Sequence, residues 1–385
     1  MTPRAIELFC GCGGLSTGIL DAGIQVLAGF DHDAPSIKTF NYNHQYRGGY
    51  GYVADLASLS GKELLELANV RGSVDLVAGG PPCQPFSVAG KKRGLDDKRG
   101  NLIFRFADIV RELSPTAFLF ENVPNLAKMD GGSLAGRLKD ELSALGYEVY
   151  ASILTAADYG VPQARKRFFL VGLPTGMKFA FPAPTHAEKI DLFGETKPYL
   201  TAADAIGDLP DVGTDRAREI PNHEPTMHSA KMVQAFRELL PGTRDKKSFH
   251  DRLHPDRLSY TLRAGSGNFS PLRPVHYKYD RVISVRESAR IQGMDDSFIW
   301  PDPLPRLQQY RQVGNAVPPP LAQAVAARMA DVLGWEASPH ETKGDPSTRP
   351  AAFYLTHEER HADRVGRLRG ASLGAPVSPQ PPESD

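Results

Sequence analysis

The sequence predicts an α/β fold built on a doubly wound, mostly parallel sheet, with a smaller irregular domain inserted into it. Three observations carry this reading. From residue 1 to about 175, short apolar runs alternate with helix-like stretches. Glycine or proline turns and single carboxylates stand at the ends of those runs. After Pro174 the alternation stops, and prolines and glycines recur every few residues to about Asp280.

Ala5 to Phe9 reads as the first strand, followed by the turn Gly11-Cys12-Gly13-Gly14 and a helix from about Leu15 to Ala22. Gln25 to Phe30 is the second strand, with Asp31 at its C-terminal end; Val53 and Ala54 precede another carboxylate, Asp55. Val74 to Ala78 is a further strand, broken by Gly79-Gly80-Pro81-Pro82. Asn101 to Leu113 sets Leu102, Ile103, Phe106, Ile109, Val110 and Leu113 at helical spacing. Ala117 to Phe120 is a strand ending at Glu121, followed by a helix near Ser133 to Leu145 and strands near Glu148 to Leu154 and Arg167 to Leu173. Later, Val285 to Ile291 and Pro318 to Leu333 look helical, the second started by its prolines. The expected organisation is a first domain over 1–175, an inserted domain over 176–280, a return segment over 281–337, and a polar, disordered tail over 338–385. Within the tail, Thr356 and Glu359 could form a capping box for one short helix.

The chain has 385 residues, 41% apolar and 23% charged, enough for two domains with real cores at roughly 150 residues each. No stretch approaches the ~18 uninterrupted apolar residues of a membrane helix. The opening MTPRAIELF lacks the basic and apolar regions of a secretory signal. Cys10, Cys12 and Cys83 are too few for a disulfide framework and fit a reducing cytoplasm, which is the expected location. Lys+Arg and Asp+Glu both number 45, so a nucleic-acid surface must come from uneven charge placement.

Five local patterns bear chemistry. The turn around Phe9, Gly11, Gly13, Gly14 and Leu15 lets a ligand lie against the backbone at a helix N-terminus; a simple tight turn is the alternative. A dinucleotide fingerprint counted from Gly11 would need glycine where Ser16 stands. Asp31 and Asp55 suit a ribose hydroxyl pair and an adenine amino group, so with the glycine turn they describe a nucleoside-bearing ligand. Gly80-Pro81-Pro82-Cys83-Gln84-Pro85-Phe86-Ser87 holds a cysteine rigidly at the carboxyl end of a strand, with downstream cations that favour its thiolate. Glu121 ends the next strand, in Glu121-Asn122-Val123. Arg165 and Arg167, in Gln163-Ala164-Arg165-Lys166-Arg167, fall on one side of an extended segment. Gly314-Asn315-Ala316-Val317-Pro318 is either part of a site or only a helix start.

In this order and spacing the motifs resemble the DNA (cytosine-5)-methyltransferases, through about 1–174 and 281–333. The resemblance implies a Rossmann-like S-adenosylmethionine-dependent methyltransferase fold with an inserted target-recognition domain. It implies that Cys83 attacks cytosine C6, making C5 a carbon nucleophile that takes the methyl group. Glu121 would protonate N3, Arg167 would hold O2, and Arg165 would help orient the base and Cys83. For S-adenosylmethionine, Phe9 would flank the adenosyl group, the backbone of Gly11, Gly13, Gly14 and Leu15 would hold the methionine end, and Asn315 would complete the pocket. Asp31 would bind the ribose and Asp55 the adenine; where relatives often place a stacking aromatic, this chain has His32. No metal is used, and Cys10 with Cys12 is poor zinc spacing.

The target base must be flipped out of its helix, and Ser87 to Gly100 suits a mobile closing loop, with Gly90, Gly94 and Gly100 as hinges. Its Lys91, Lys92, Arg93, Lys98 and Arg99 outnumber Asp96 and Asp97. Between Arg244 and Arg290, eleven Lys/Arg against five Asp/Glu leave a surplus of six, marking the inserted region as the DNA-reading domain. Gly265-Ser266-Gly267-Asn268 reads as a loop able to approach a groove. The expected partner is double-stranded DNA, with a cognate restriction endonuclease acting on the same site, for a monomeric, cytoplasmic, nucleoid-associated enzyme. The alternatives are a tRNA cytosine-5 methyltransferase and a catalytically silent DNA-binding relative.

Overall fold

The computed structural model, which describes residues 2–82, 102–189, 195–265, 270 and 272–336, is organised on one seven-stranded sheet. Its elements are β1 (Arg4–Leu8), α1 (Gly14–Asp21), β2 (Gln25–Asp31), α2 (Ala34–His44), β3 (Tyr50–Val53), α3 (Gly61–Leu67), β4 (Leu76–Gly79), α4 (Leu102–Leu113), β5 (Ala117–Asn122), α5 (Ser133–Ser143), β6 (Tyr147–Thr155) and β7 (Lys166–Pro174). The strand order is β3-β2-β1-β4-β5-β7-β6. The first five strands are parallel; β7 runs antiparallel to both neighbours. The chain winds outward from β1 to β3 and then restarts at β4 on the other side of β1. That reversal opens a crevice beyond the carboxyl ends of β1 and β4, where open α/β sheets bind ligands.

The direction of β7 decides where its first residues go. An antiparallel strand begins at the edge where its parallel neighbours end. In register, Asn122 faces Phe168 and Glu121 faces Phe169, so the residues around 165–167 arrive at the same edge as the turns after β1 and β4.

Apolar residues cover both faces of the sheet. One layer joins β1, β2 and β6 to α1 and to a late helix over Pro319–Leu333 through Ile19, Ile24, Val26, Leu321, Val325 and Met329. The other packs α3, α4 and α5 through Leu64, Phe106, Ile109, Phe118, Leu138 and Leu142. The sequence reading contained neither α2 nor α3. In α2, Asn, Thr and Ser dilute the apolar period, and the helix is set by the Asp33 cap on Ser36. In α3 a Ser60–Glu63 capping box starts a helix of only seven residues.

The stretch expected to be irregular carries short pieces: α6 (Ala202–Ile206), α7 (Asp215–Arg218), α8 (Ala230–Glu238), and two pairs of two-residue strands, β8 (His186–Ala187) with β9 (Lys197–Pro198) and β10 (Asp251–Arg252) with β11 (Pro274–Val275). The chain then forms α9 (Val285–Ile291), α10 (Arg306–Asn315) and α11 (Pro319–Leu333). A third apolar cluster, including Leu253, Leu262, Trp300 and Val313, ties the inserted stretch to α9 and α10. α11 lies so close to α1 that a Cβ at Gly18 would stand 2.5 Å from both the Ala322 Cβ and the Pro319 carbonyl oxygen. No helix among the described residues is long and apolar enough to cross a membrane. Cys83, the Ser87 to Gly100 loop, Ser266 to Asn268 and the tail from Ser338 lie outside the described residues.

Candidate active site

A cavity of about 760 Å³ opens at the crevice, within the range of small-molecule sites. Its walls come from the turns after β1, β2, β4 and β5, the start of β7, the segment around Leu262, and one face of α10.

The floor is the glycine turn. Phe9 takes φ 56 and Gly11 φ 53, left-handed conformations that fold the chain sharply after β1. Gly13, at φ 94, is the N-cap of α1 and offers no side chain to the helix's free N–H groups. Gly14 is needed for packing as well, because a Cβ there would stand 2.5 Å from the Val317 carbonyl oxygen. Phe9, Gly11, Gly14 and Leu15 line the cavity; Gly13 sits behind, against His44. Asp31 lines it too, accepting the Gly11 N–H at 2.9 Å and the Asp33 N–H at 2.9 Å. The ring of His32 reaches the lining and is largely exposed.

Asp55 is placed differently from Asp31. It is exposed, folds back to accept the Ala57 N–H at 3.0 Å, and does not line the cavity. The chain turns immediately after β3, which leaves this carboxylate at the surface instead of over the crevice.

Glu7 and Ser16 form a pair the sequence did not reveal. Ser16 is fully buried and donates from Oγ to the Glu7 carboxyl beneath the turn. Burial pushes the Glu7 carboxyl up to about 8. Ser16 therefore closes the floor with a side chain where a dinucleotide turn would keep glycine. The same burial raises the thiols of Cys10 and Cys12, so neither is a ready thiolate.

On the opposite wall, Glu121 is the last residue but one of β5, with its side chain about one-tenth exposed. Its Oε1 is 2.7 Å from Arg167 Nε. Its Oε2 lies against Gly80, where a Cβ would approach to 2.8 Å. Burial outweighs the nearby Arg167 and Arg165 guanidiniums and holds the Glu121 carboxyl above the usual range. Next to it, Asn122 donates from Nδ2 to the Pro81 carbonyl at 2.8 Å and accepts the Val123 N–H at 2.9 Å. That bond fixes the chain two residues before Cys83. Pro81 and Pro82 line the cavity.

Arg165 and Arg167 both reach the cavity, with exposed Lys166 between them, as strand alternation requires. Their depths differ. Arg165 has no exposed surface, and its guanidinium donates to the carbonyls of Leu262 at 2.8 Å, Gly314 at 2.7 Å and Ala316 at 3.1 Å. Those contacts make it a brace between the segment at Leu262 and the end of α10. Gln163 adds to the brace, accepting the Leu262 N–H at 2.9 Å and donating to Gln292 at 2.8 Å. Asn315, at the end of α10, is exposed and lines the cavity.

The floor fits a nucleoside-bearing cation with a carboxylate: uncapped helix N–H groups for the anion, Asp31 for hydroxyls, and room over Gly11. The facing wall offers a carboxyl whose proton affinity is raised by burial, beside a guanidinium, the complement of a pyrimidine's polar edge.

A family model described as C-5 cytosine-specific DNA methylase matches residues 3–331. The chain is 36% identical over 340 residues to the type II methyltransferase M1.HphI of Haemophilus parahaemolyticus, covering 85% of this chain and 86% of that protein. It is 33% identical over 350 residues to M.MthTI of Methanothermobacter thermautotrophicus, covering 84% and 96%. Among solved structures, a DNA modification methyltransferase encoded within a prophage of E. coli superposes with a TM-score of 0.69 at 26% identity, covering 86% of this chain and all of that one. The S. pombe Dnmt2 methyltransferase, at 18% identity and a TM-score of 0.59 over 86% and 98% of the two chains, shares the fold. With the family model spanning the glycine turn, the Glu121 wall and the α10–α11 return, the chain belongs to the C-5 cytosine-specific DNA methylases and is a DNA (cytosine-5)-methyltransferase, an activity that implies S-adenosylmethionine as donor.

Proposed function

We propose that this cavity methylates a cytosine flipped out of a specific duplex sequence, through a transient bond between Cys83 and the pyrimidine ring. The observation that carries it is the meeting of Glu121, Arg167 and the Asn122-anchored Pro81-Pro82 turn on one wall, opposite the glycine turn and Asp31.

In this reading the Cys83 thiolate adds to C6, and the ring electrons move toward C5. Glu121 delivers its proton to N3 as that charge develops, which its raised pKa permits. Arg167 holds O2 while keeping the Glu121 carboxyl aimed. Arg165, buried in its brace, acts on the base only by holding the surrounding segments in place. Once C5 carries the methyl group, loss of the C5 proton to water, departure of the Cys83 thiolate and return of the N3 proton to Glu121 restore the neutral aromatic ring. S-adenosylmethionine, when bound, supplies an electrophilic methyl group. Phe9, Asp31, Leu15, Asn315 and the backbone at Gly11 and Gly14 are the residues that would hold it, with Gly13 shaping the turn. Asp55, which the resemblance sets against the adenine, is exposed after β3 and folds back onto the Ala57 N–H.

The inserted region, 176–280, reads the duplex in this account through its last third, where residues 244–280 carry eight Lys/Arg against four Asp/Glu. Relatives named as type II methyltransferases support a restriction-modification setting; in this reading the enzyme acts as a monomer on cytoplasmic DNA and protects it from an endonuclease of the same specificity. The test is to map methylated cytosines in DNA and tRNA from cells expressing the protein. One DNA motif modified throughout is expected; 5-methylcytosine confined to tRNA would overturn the assignment.

A further inference from the structure

Two arginines at the cavity are used by nothing described so far. Arg263 and Arg311 both line it and are both exposed. Among the described residues their side chains form no hydrogen bond or ion pair, whereas Arg244 pairs with Asp251, Arg237 with Asp280 and Arg290 with Asp296. The carboxylates of the cavity are already engaged, Glu121 by Arg167 and Asp31 by two backbone N–H groups.

The fold brings these two arginines together. Arg165 bonds to Leu262, the residue before Arg263, and to Gly314, one helical turn after Arg311. Gly314 lacks the Cβ that would collide with the Arg263 backbone and the Ala264 nitrogen. One buried guanidinium and one glycine thus hold two surface guanidiniums, unpaired among the described residues, at the same opening, from segments about 50 residues apart in sequence.

We propose that Arg263 and Arg311 form a phosphate clamp for the strand carrying the flipped nucleotide. A base seated against Glu121 and Arg167 brings its own sugar and flanking phosphates to the cavity mouth. Two free guanidiniums there gain charge-assisted hydrogen bonds only once the base is extruded, which offsets part of the few kcal/mol lost on unstacking. The other anion that could reach them, the methionine carboxylate of the donor, already has the uncapped start of α1. The inference rests on the DNA-methylation reading above.

The test uses the full chain and a duplex bearing the sequence found by methylation mapping. Arg263→Ala, Arg311→Ala and the double variant are compared with the unaltered protein by fluorescence anisotropy across about 50 to 200 mM salt. Each substitution is expected to lower the slope of log K against log salt by about one, so the variant loses roughly threefold less affinity over that range. Placing uncharged methylphosphonates on both sides of the target cytosine should weaken the unaltered protein and leave the double variant unaffected. Calorimetric S-adenosylmethionine affinity and the melting temperature should stay unchanged. Unaltered salt slopes, a full methylphosphonate penalty in the double variant, or a loss of donor affinity would each overturn the clamp. If the unaltered protein itself shows no salt-dependent duplex binding, the DNA-methylation reading fails first and the clamp with it.

Discussion

The Glu121 carboxylate is held between Arg167 Nε, 2.7 Å away, and the bare backbone of Gly80. Burial and the guanidinium pull its acidity in opposite directions, and burial prevails. The wall therefore sets a carboxyl of raised proton affinity and a fixed cation side by side, beside the turn that leads to Cys83.

Glu121→Gln keeps the size and a hydrogen-bonding edge but has no proton to give. Single-turnover methylation should fall by about 10²- to 10⁴-fold while donor affinity is retained. Because the protonated form is the active one, methylation by the unaltered protein should also decline as pH rises through the raised pKa. A Gln variant within a few-fold of normal would remove Glu121 from proton transfer.

Arg165→Ala would strip donors from the carbonyls of Leu262, Gly314 and Ala316 inside the fold. The expected loss is on the order of 3 kcal/mol or more, read as a lower urea midpoint, with new proteolytic cutting near residues 259–264. A midpoint matching the unaltered protein would show that the brace is not needed.

Glu7 gives a pH signature. Its folded-state pKa, about 8, lies above that of an unfolded carboxyl, so its contribution is fully present below about pH 4.5 and lost as pH rises toward 8. Glu7→Gln removes this titration and can still accept from Ser16. Relative to the unaltered protein, the variant's melting temperature should climb steadily from pH 5 to pH 8, by an amount on the order of a few kcal/mol in stability. A pH-independent difference would mean that Glu7 does not titrate there.

Much of the site could be read from the sequence because open α/β sheets place functional side chains at strand ends. Asp31, Glu121 and the turns at Gly11 and Gly80 follow directly from where apolar runs stop. Alternation correctly put Arg165 and Arg167 on one side, but alternation carries no information about depth, and Arg165 proved to be internal. Glu7 hides among the apolar residues of β1, where only the oddity of a carboxylate between Ile6 and Leu8 marks it. Asp55 is less legible than Asp31, because a carboxylate after a strand looks the same whether the chain runs on over the crevice or turns away at once. The reversed direction of β7, which delivers the arginines to the site, depends on its neighbours and not on its own pattern.

The central claim is the bond from Cys83 to the base. A duplex carrying 5-fluorocytosine at the mapped target, incubated with enzyme and S-adenosylmethionine, cannot lose fluorine as it would a proton, so the adduct should persist. A denaturant-resistant protein–DNA species attached at Cys83, absent from Cys83→Ser, is the expected result. Recovery of free protein and free DNA, under conditions where the ordinary duplex is methylated, would contradict the account.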